Sequence, residues 1–108
     1  MVKKTIKGLN EIYHKYDVFF IDLWGVVHNG MQLYLGAIKV LENLDKLNKK
    51  FVLLSNAPVP SKNVEKLLLN LKMNKIFIKN VFTSGEAALK SLEKNTYGKK
   101  FYHLGPKR

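Results

Sequence analysis

Residues 16–30 read Tyr-Asp-Val-Phe-Phe-Ile-Asp-Leu-Trp-Gly-Val-Val-His-Asn-Gly, and this stretch decides the fold. Its apolar run, residues 18–21, is short and uninterrupted, which is typical of a strand buried on both faces in a parallel sheet. Asp22 follows directly, at the carboxyl end of the strand, where α/β sheets place their chemistry. Asp also ends strands for structural reasons alone, so this position by itself leaves both interpretations open.

The composition is that of one small globular domain. The chain has 108 residues, enough for one modest core, and its hydrophobic fraction of 46% excludes a disordered polymer. We expect no membrane segment, because no apolar run approaches the length of a span, and we see no secretory signal. The sequence has no cysteine, which excludes disulfides and thiolate metal sites and makes the cytoplasm the default location.

The charge is strongly positive, with a net value of +11. The cations are nearly all lysine, Arg108 is the one arginine, and the lysines are spread over every segment. Arginine is the usual reader of base edges, so we expect no specific nucleic-acid partner. A lysine-rich solvated surface is the preferred interpretation, and weak attraction to polyanions or phosphorylated compounds remains expected.

Hydrophobic periodicity predicts alternating strands and helices. Residues 76–78 are either an edge strand or a buried connector, Ser61 is a predicted N-cap, and residues 83–86 have the spacing of a capping box. This order favours an α/β fold, a Rossmann-like three-layer sandwich with a parallel sheet. The predicted elements are an N-terminal helix at 5–15, strands at 18–23, 51–54, 81–83 and 100–104, a structured loop at 24–35, and helices at 36–50, 61–73 and 84–94.

Two polar residues end consecutive predicted strands, Asp22 and Ser55. Paired strands lie ~4.8 Å apart, so both side chains can face one ligand. Asp22 can act as a nucleophile or a metal ligand, while Ser55 and Asn56 can donate hydrogen bonds to an anionic oxygen. Amides around Gly25 can form an anion-holding nest. An acid beside an anion needs a cation between them, and Mg²⁺ is the hard ion that carboxylates and phosphates share.

These stretches resemble a known family. Residues 20–30 resemble motif I of the haloacid dehalogenase-like hydrolase superfamily, and residues 53–58, Leu-Leu-Ser-Asn-Ala-Pro, resemble its motif II. Residues 81–86, Val-Phe-Thr-Ser-Gly-Glu, further resemble the class IIA branch, which includes the N-acetylglucosamine-phosphate and pyridoxal-phosphate phosphatases. The similarity covers about residues 16–106.

The resemblance implies a role for each matching residue. Asp22 would be the nucleophile that forms an aspartyl-phosphate, and it would ligate Mg²⁺ together with the backbone carbonyl of Trp24. Ser55 would bind the transferring phosphoryl group of a small phosphorylated substrate. Residues 26–35 would correspond to the mobile flap beside the nucleophile.

The sequence departs from the family pattern in two ways. Trp24 stands where the phosphatases carry a second Asp as general acid, and the sequence stops near the expected cap, before the motif III lysine and the motif IV acids. The resemblance therefore implies a single partial core domain with little or no activity alone. Its open apolar edge would favour self-association or pairing with the missing C-terminal half. The alternatives are an inactive split-gene remnant and a lysine-rich module that binds polyanions.

Overall fold

Strands and helices alternate along the chain, as the sequence predicts. The structure is a computed structural model that describes residues 5–106. This alternation confirms the α/β class. The elements are β1 (Val18–Asp22), α1 (Leu35–Lys46), β2 (Lys50–Ser55), α2 (Ser61–Asn70), α3 (Lys75–Ile78), β3 (Val81–Thr83) and α4 (Ser84–Glu93).

The three strands form one parallel sheet in the order β1-β2-β3. β2 is central, and its register sets Phe20 level with Val52 and Asp22 level with Leu54. On its other side Ser55 is level with Thr83. The parallel sheet is confirmed, and the carboxyl ends of β1 and β2 lie at the same edge.

One face of the sheet carries the core. Leu53 on β2 is fully buried, and α1 and α2 cover this face with the buried side chains of Leu41 and Leu68. Phe77 on α3 packs against Phe51 with ring centroids 5.8 Å apart. Residues 76–78 are therefore the buried connector, in helical form, and the edge-strand alternative is wrong.

The second face of the sheet carries α4. Side chains alternate along β3, so Phe82 faces away from the buried Val81 and Thr83. The ammonium group of Lys90 on α4 lies 5.2 Å from the centre of the Phe82 ring. Helices thus lie on both faces, which gives the three-layer arrangement.

Two helices end earlier than periodicity predicts. Asn48 takes a left-handed conformation (φ 53°) just past α1, where the amide of Lys49 donates to the Leu44 carbonyl at 2.9 Å. Lys72 (φ 69°) follows α2 in the same way, with the Met73 amide donating to the Leu68 carbonyl at 3.0 Å. These bonds close the final helical turns, so the chain leaves each helix before its apolar stripe ends.

Three sequence predictions are wrong. The N-terminal segment forms two short 3₁₀ turns, Leu9–Glu11 and Tyr13–Lys15, instead of one α-helix, and residues 1–4 lie outside the described part. Residues 100–104 form no strand, because no described strand pairs with them. Ser61 is the first residue of α2 and not its N-cap, since Pro60 precedes it in the capping position.

Candidate active site

Asp22 is the last residue of β1, and its side chain is exposed at the sheet edge. One carboxylate oxygen accepts a hydrogen bond from the Leu23 amide at 2.9 Å. A carboxylate held by backbone at the end of a parallel strand is in the position where such sheets bind ligands.

The loop after Asp22 is tightly wound. The Leu23 carbonyl accepts from the amides of Val27 and His28 at 2.8 and 3.2 Å, and the Val27 side chain is fully buried. Gly25 takes φ +80°, a left-handed conformation that suits glycine, and its amide donates to the His28 carbonyl at 2.7 Å. The structured loop is confirmed, and an anion bound to the Gly25 amide would compete with this internal bond.

His28 is a buried polar residue that sequence reasoning missed. It is 2% exposed, and its Nδ1 accepts from the Gly30 amide at 2.9 Å, which places the proton of the neutral ring on Nε2. Burial lowers the pKa of His28 from its usual 6.5, and the negative charge of Asp22 opposes this effect. The signal was a lone histidine enclosed by the apolar and glycine residues of motif I.

The lowered pKa of His28 predicts a pH-dependent stability. In the unfolded chain a histidine takes up its proton near pH 6.5, whereas folded His28 stays neutral to lower pH. Protonation therefore favours the unfolded state as pH falls below about 6.5, and the free energy of unfolding should fall with it. Urea titrations between about pH 5 and 7 should show a smaller fall for His28→Gln. The exposed His14 gives the control, and a His14→Gln effect equal to that of His28→Gln would contradict this account.

Ser55 ends β2 and begins a sharp turn. Its hydroxyl oxygen accepts from the Ala57 amide at 3.2 Å, so its O–H proton can point at a ligand. Asn56 follows and is exposed, which leaves its side chain accessible to a bound anion. Both residues therefore stand at the same end of the sheet as Asp22.

The register fixes where a shared ligand would have to lie. Asp22 is level with Leu54, one residue before Ser55, and successive side chains point to opposite faces. A ligand that touches both Asp22 and Ser55 must lie beyond the strand ends, across the tips of β1 and β2. The convergence of both side chains on one phosphate stays a prediction.

The start of α4 tethers the loop that follows Ser55. The Thr83 hydroxyl donates to the Val59 carbonyl at 2.6 Å and accepts from the Glu86 amide at 3.0 Å. The Ser84 hydroxyl donates to the Asn56 carbonyl at 2.9 Å. The predicted capping box is half realised, because the Glu86 carboxylate accepts instead from the Ser61 amide of α2 at 3.1 Å.

Gly85 lets α4 approach this loop closely. A β-carbon at Gly85 would overlap the backbone of Val59, whereas one at Gly36, in α1, would have no atom within 4 Å. We expect Gly85→Ala to destabilise the fold by ~1–3 kcal/mol. Gly36→Ala should instead stabilise it by roughly 0.5–1 kcal/mol, because alanine favours a helix. Urea unfolding of the two variants measures both values, and equal stabilities would show that the close contact does not exist.

The donor set for a metal ion is small. No group of three or more acidic, histidine or cysteine side chains able to hold a metal exists within residues 5–106. The resemblance assigns Mg²⁺ to Asp22 and the backbone carbonyl of Trp24, and this assignment stays a prediction. Mg²⁺ usually keeps several waters and binds one or two carboxylates with substrate phosphate, so this set suits a metal that arrives with its substrate.

Trp24 occupies the loop beside the nucleophile position. Its side chain is 66% exposed, and its indole nitrogen lies 3.7 Å from where a β-carbon of Gly30 would stand. Indole has no proton that it can transfer near neutral pH. Trp24 can therefore contact a substrate through its ring but cannot serve as an acid or base.

The fold is a Rossmann-like α/β sheet of three parallel strands, with an acid at the tip of β1 and a hydroxyl at the tip of β2. Residues 19–108 match the haloacid dehalogenase-like hydrolase family, and the chain belongs to that family. The match is consistent with class IIA and confirms the resemblance of the motifs. The family generally uses Mg²⁺.

Solved structures share the fold. A haloacid dehalogenase-like hydrolase from Brucella suis is 29% identical, with a TM-score of 0.74 over 81% of this chain and 33% of its own. A hypothetical protein from Pyrococcus horikoshii is 21% identical, with a TM-score of 0.60 over 73% of this chain and 30% of its own. The chain thus spans about a third of the length of each.

No curated protein matches the sequence. Among the described helices, none combines the length and the apolar character that crossing a bilayer requires.

Proposed function

We propose that this chain carries the phosphate-binding half of a Mg²⁺-dependent phosphoryl-transfer site for a small phosphorylated substrate. The supporting observation is the placement of Asp22 and Ser55 at the ends of adjacent parallel strands, on one edge of the sheet. Because the chain belongs to a hydrolase family, we interpret this placement as part of a reaction site. With the chain covering about a third of its solved relatives, little or no activity is expected from it alone.

In the proposed reaction Asp22 is the nucleophile. A carboxylate oxygen attacks phosphorus, the bond from phosphorus to the leaving oxygen breaks, and an aspartyl-phosphate forms on Asp22. Ser55 and Asn56 donate hydrogen bonds to the phosphoryl oxygens and fix their position. Mg²⁺, held by Asp22 and the Trp24 carbonyl, would supply positive charge against the phosphate. Water then breaks the acyl-phosphate and releases inorganic phosphate.

Trp24 decides which leaving groups this site can accept. Because Trp24 cannot donate a proton, the leaving oxygen has to depart as an anion. An aryl phosphate with an acidic phenol meets that condition, whereas an alkyl phosphate does not.

This selectivity is tested with 4-nitrophenyl phosphate and an alkyl monoester such as glycerol phosphate, each with Mg²⁺. We expect low turnover of the aryl ester, removed by EDTA, and none of the alkyl ester. Trp24→Asp should make alkyl-ester turnover measurable, since a positioned general acid contributes about 10²-fold or more. Trp24→Phe is the matched control and should leave the selectivity unchanged. Equal turnover of both esters by the native chain would contradict the role given to Trp24.

Binding without turnover is the second candidate function. Trp24 in place of an acid and the net charge of +11 both favour a module that holds phosphorylated compounds or polyanions. In that case the logarithm of the nucleic-acid binding constant should fall steeply and linearly with the logarithm of the salt concentration. A flat salt dependence would exclude this candidate, and aryl phosphate turnover that requires Asp22 would favour the enzyme.

A further inference from the structure

One peptide unit, between Asn56 and Ala57, connects the Ser55 hydroxyl to the start of α4. The Ala57 amide donates to the Ser55 hydroxyl oxygen at 3.2 Å. The Asn56 carbonyl, on the opposite side of the same peptide unit, accepts from the Ser84 hydroxyl at 2.9 Å. Because a trans peptide is planar, its carbonyl and amide point in opposite directions and turn together. The Ser84 hydroxyl therefore fixes the direction of the amide that holds Ser55.

The direction of the Ala57 amide decides how the Ser55 hydroxyl can bind a ligand. A hydroxyl group has one proton to donate and two lone pairs that accept. When the amide occupies a lone pair, the proton is free to point at a ligand, and hydrogen bonds in such a chain polarise one another. A hydroxyl that already accepts a bond is thus a stronger donor, which suits the negative oxygens of a phosphate.

Further hydrogen bonds from α4 hold the same loop. The single proton of Ser84 is shared between the carbonyls of Asn56 and Ala57, at 2.9 and 3.0 Å. The Gly85 amide donates to the Ala57 carbonyl at 3.1 Å. The backbone of Ala57 is therefore bonded on one side to Ser55 and on the other to the first two residues of α4.

The Ser84 hydroxyl does not cap its own helix. The N-cap of α4 is Thr83, whose hydroxyl accepts from the Glu86 amide at 3.0 Å. Ser84 is exposed, and its two hydroxyl contacts are to residues 28 and 27 positions earlier in the chain. Removal of this hydroxyl would leave the helix cap intact and take away the contact with the loop.

We propose that Ser84 is a positioning residue for phosphate: through the peptide unit between Asn56 and Ala57, it orients the Ser55 hydroxyl toward the phosphoryl oxygens. This inference rests on the proposed phosphate site and adds to it a residue from a different helix. Ser84 does not touch the substrate, because its hydroxyl proton is taken up by the loop carbonyls.

Three variants of the full chain test this role. Ser84→Ala removes the hydroxyl, whereas Ser84→Thr keeps it. Asn74→Ala is the control for a general loss of stability. It removes a side-chain bond of the same kind at the start of α3, outside the site, where the Asn74 side chain accepts from the Ile76 amide at 3.1 Å.

Inorganic phosphate with Mg²⁺ is the binding probe, and the NMR signals of Asp22 and Ser55 report its binding. We expect Ser84→Ala to raise the dissociation constant about three- to tenfold, which corresponds to the net loss of one hydrogen bond. Ser84→Thr and Asn74→Ala should each stay within about twofold of the native value.

Hydrogen exchange in the free chain tests the same role without any ligand. The exchange rate of the Ala57 amide reports its bond to Ser55. We expect Ser84→Ala to speed this exchange by a similar factor of about three to ten. Ser84→Thr and Asn74→Ala should leave it unchanged.

The outcomes separate this inference from the proposed function. If the native chain binds phosphate and Ser84→Ala binds it equally well, or if Ala57 exchanges at the native rate in Ser84→Ala, the positioning role is overturned and the phosphate site stands. A weakening as large in Asn74→Ala would attribute the effect to general stability and also reject the role. Failure of the native chain to bind phosphate would contradict the proposed function, and the positioning role would fall with it.

Discussion

Asp22→Asn is expected to remove all of the low Mg²⁺-dependent release of 4-nitrophenolate, leaving only the uncatalysed rate. The amide of asparagine has the shape of the carboxylate but cannot attack phosphorus. Its oxygen can still accept the Leu23 amide bond at the sheet edge, so the fold should persist. The loss would therefore report chemistry and not unfolding.

Asp17→Asn is the matched control for this substitution. Asp17 precedes β1, is fully exposed at its side chain and forms a surface ion pair with Lys49 at 3.4 Å. It carries the same charge change at the other end of the same strand, so turnover should stay within about twofold of the native value. Equal activities of the native chain and Asp22→Asn would remove Asp22 from the mechanism.

Leu53→Ala is expected to lower the free energy of unfolding by ~3 kcal/mol or more. Leu53 is fully buried on the central strand, where truncation removes apolar contact and leaves a cavity. Small domains have a total stability toward the lower end of ~5–15 kcal/mol, so this one change should unfold much of the population at physiological temperature.

Leu54→Ala tests the same strand on its other face. Leu54 is 37% exposed on the face of the sheet opposite the core, so its truncation should cost about 1 kcal/mol or less. Urea unfolding of both variants measures the difference. Similar losses for Leu53→Ala and Leu54→Ala would contradict the one-sided core.

The sequence predicted the elements whose signal is local. The helical stripe through Leu41 and Leu44 buries its own residues, so periodicity locates α1. The apolar run before Asp22 locates β1, although Val18 and Phe20 are exposed and the expected burial on both faces is wrong. The same reasoning placed Ser55 at the tip of β2. Placement of Asp22 and Ser55 on one edge then follows from the parallel topology. Their side-chain directions depend on the register of the strands, which no local sequence pattern predicts.

Other features depend on partners far along the chain. The strand predicted at 100–104 has the right residues, but a strand exists only where another strand accepts its bonds. The capping-box spacing predicts that the Glu86 carboxylate bonds the backbone at the start of its own helix, yet it accepts from the Ser61 amide 25 residues away. The left-handed residue Lys72 ended α2 without the glycine or asparagine that usually marks such a stop.

The most direct test of the account is an NMR titration of the full chain with inorganic phosphate in the presence of Mg²⁺. It follows the Asp22 carboxyl carbon, the Ser55 and Asn56 amides and, as a reference, the exposed His103. We predict that the Asp22 and Ser55 signals move together and saturate with one dissociation constant, that His103 does not move, and that Ser55→Ala weakens the binding. Saturation at only one of the two strand tips, or gradual shifts spread over the lysines, would contradict a shared phosphate site.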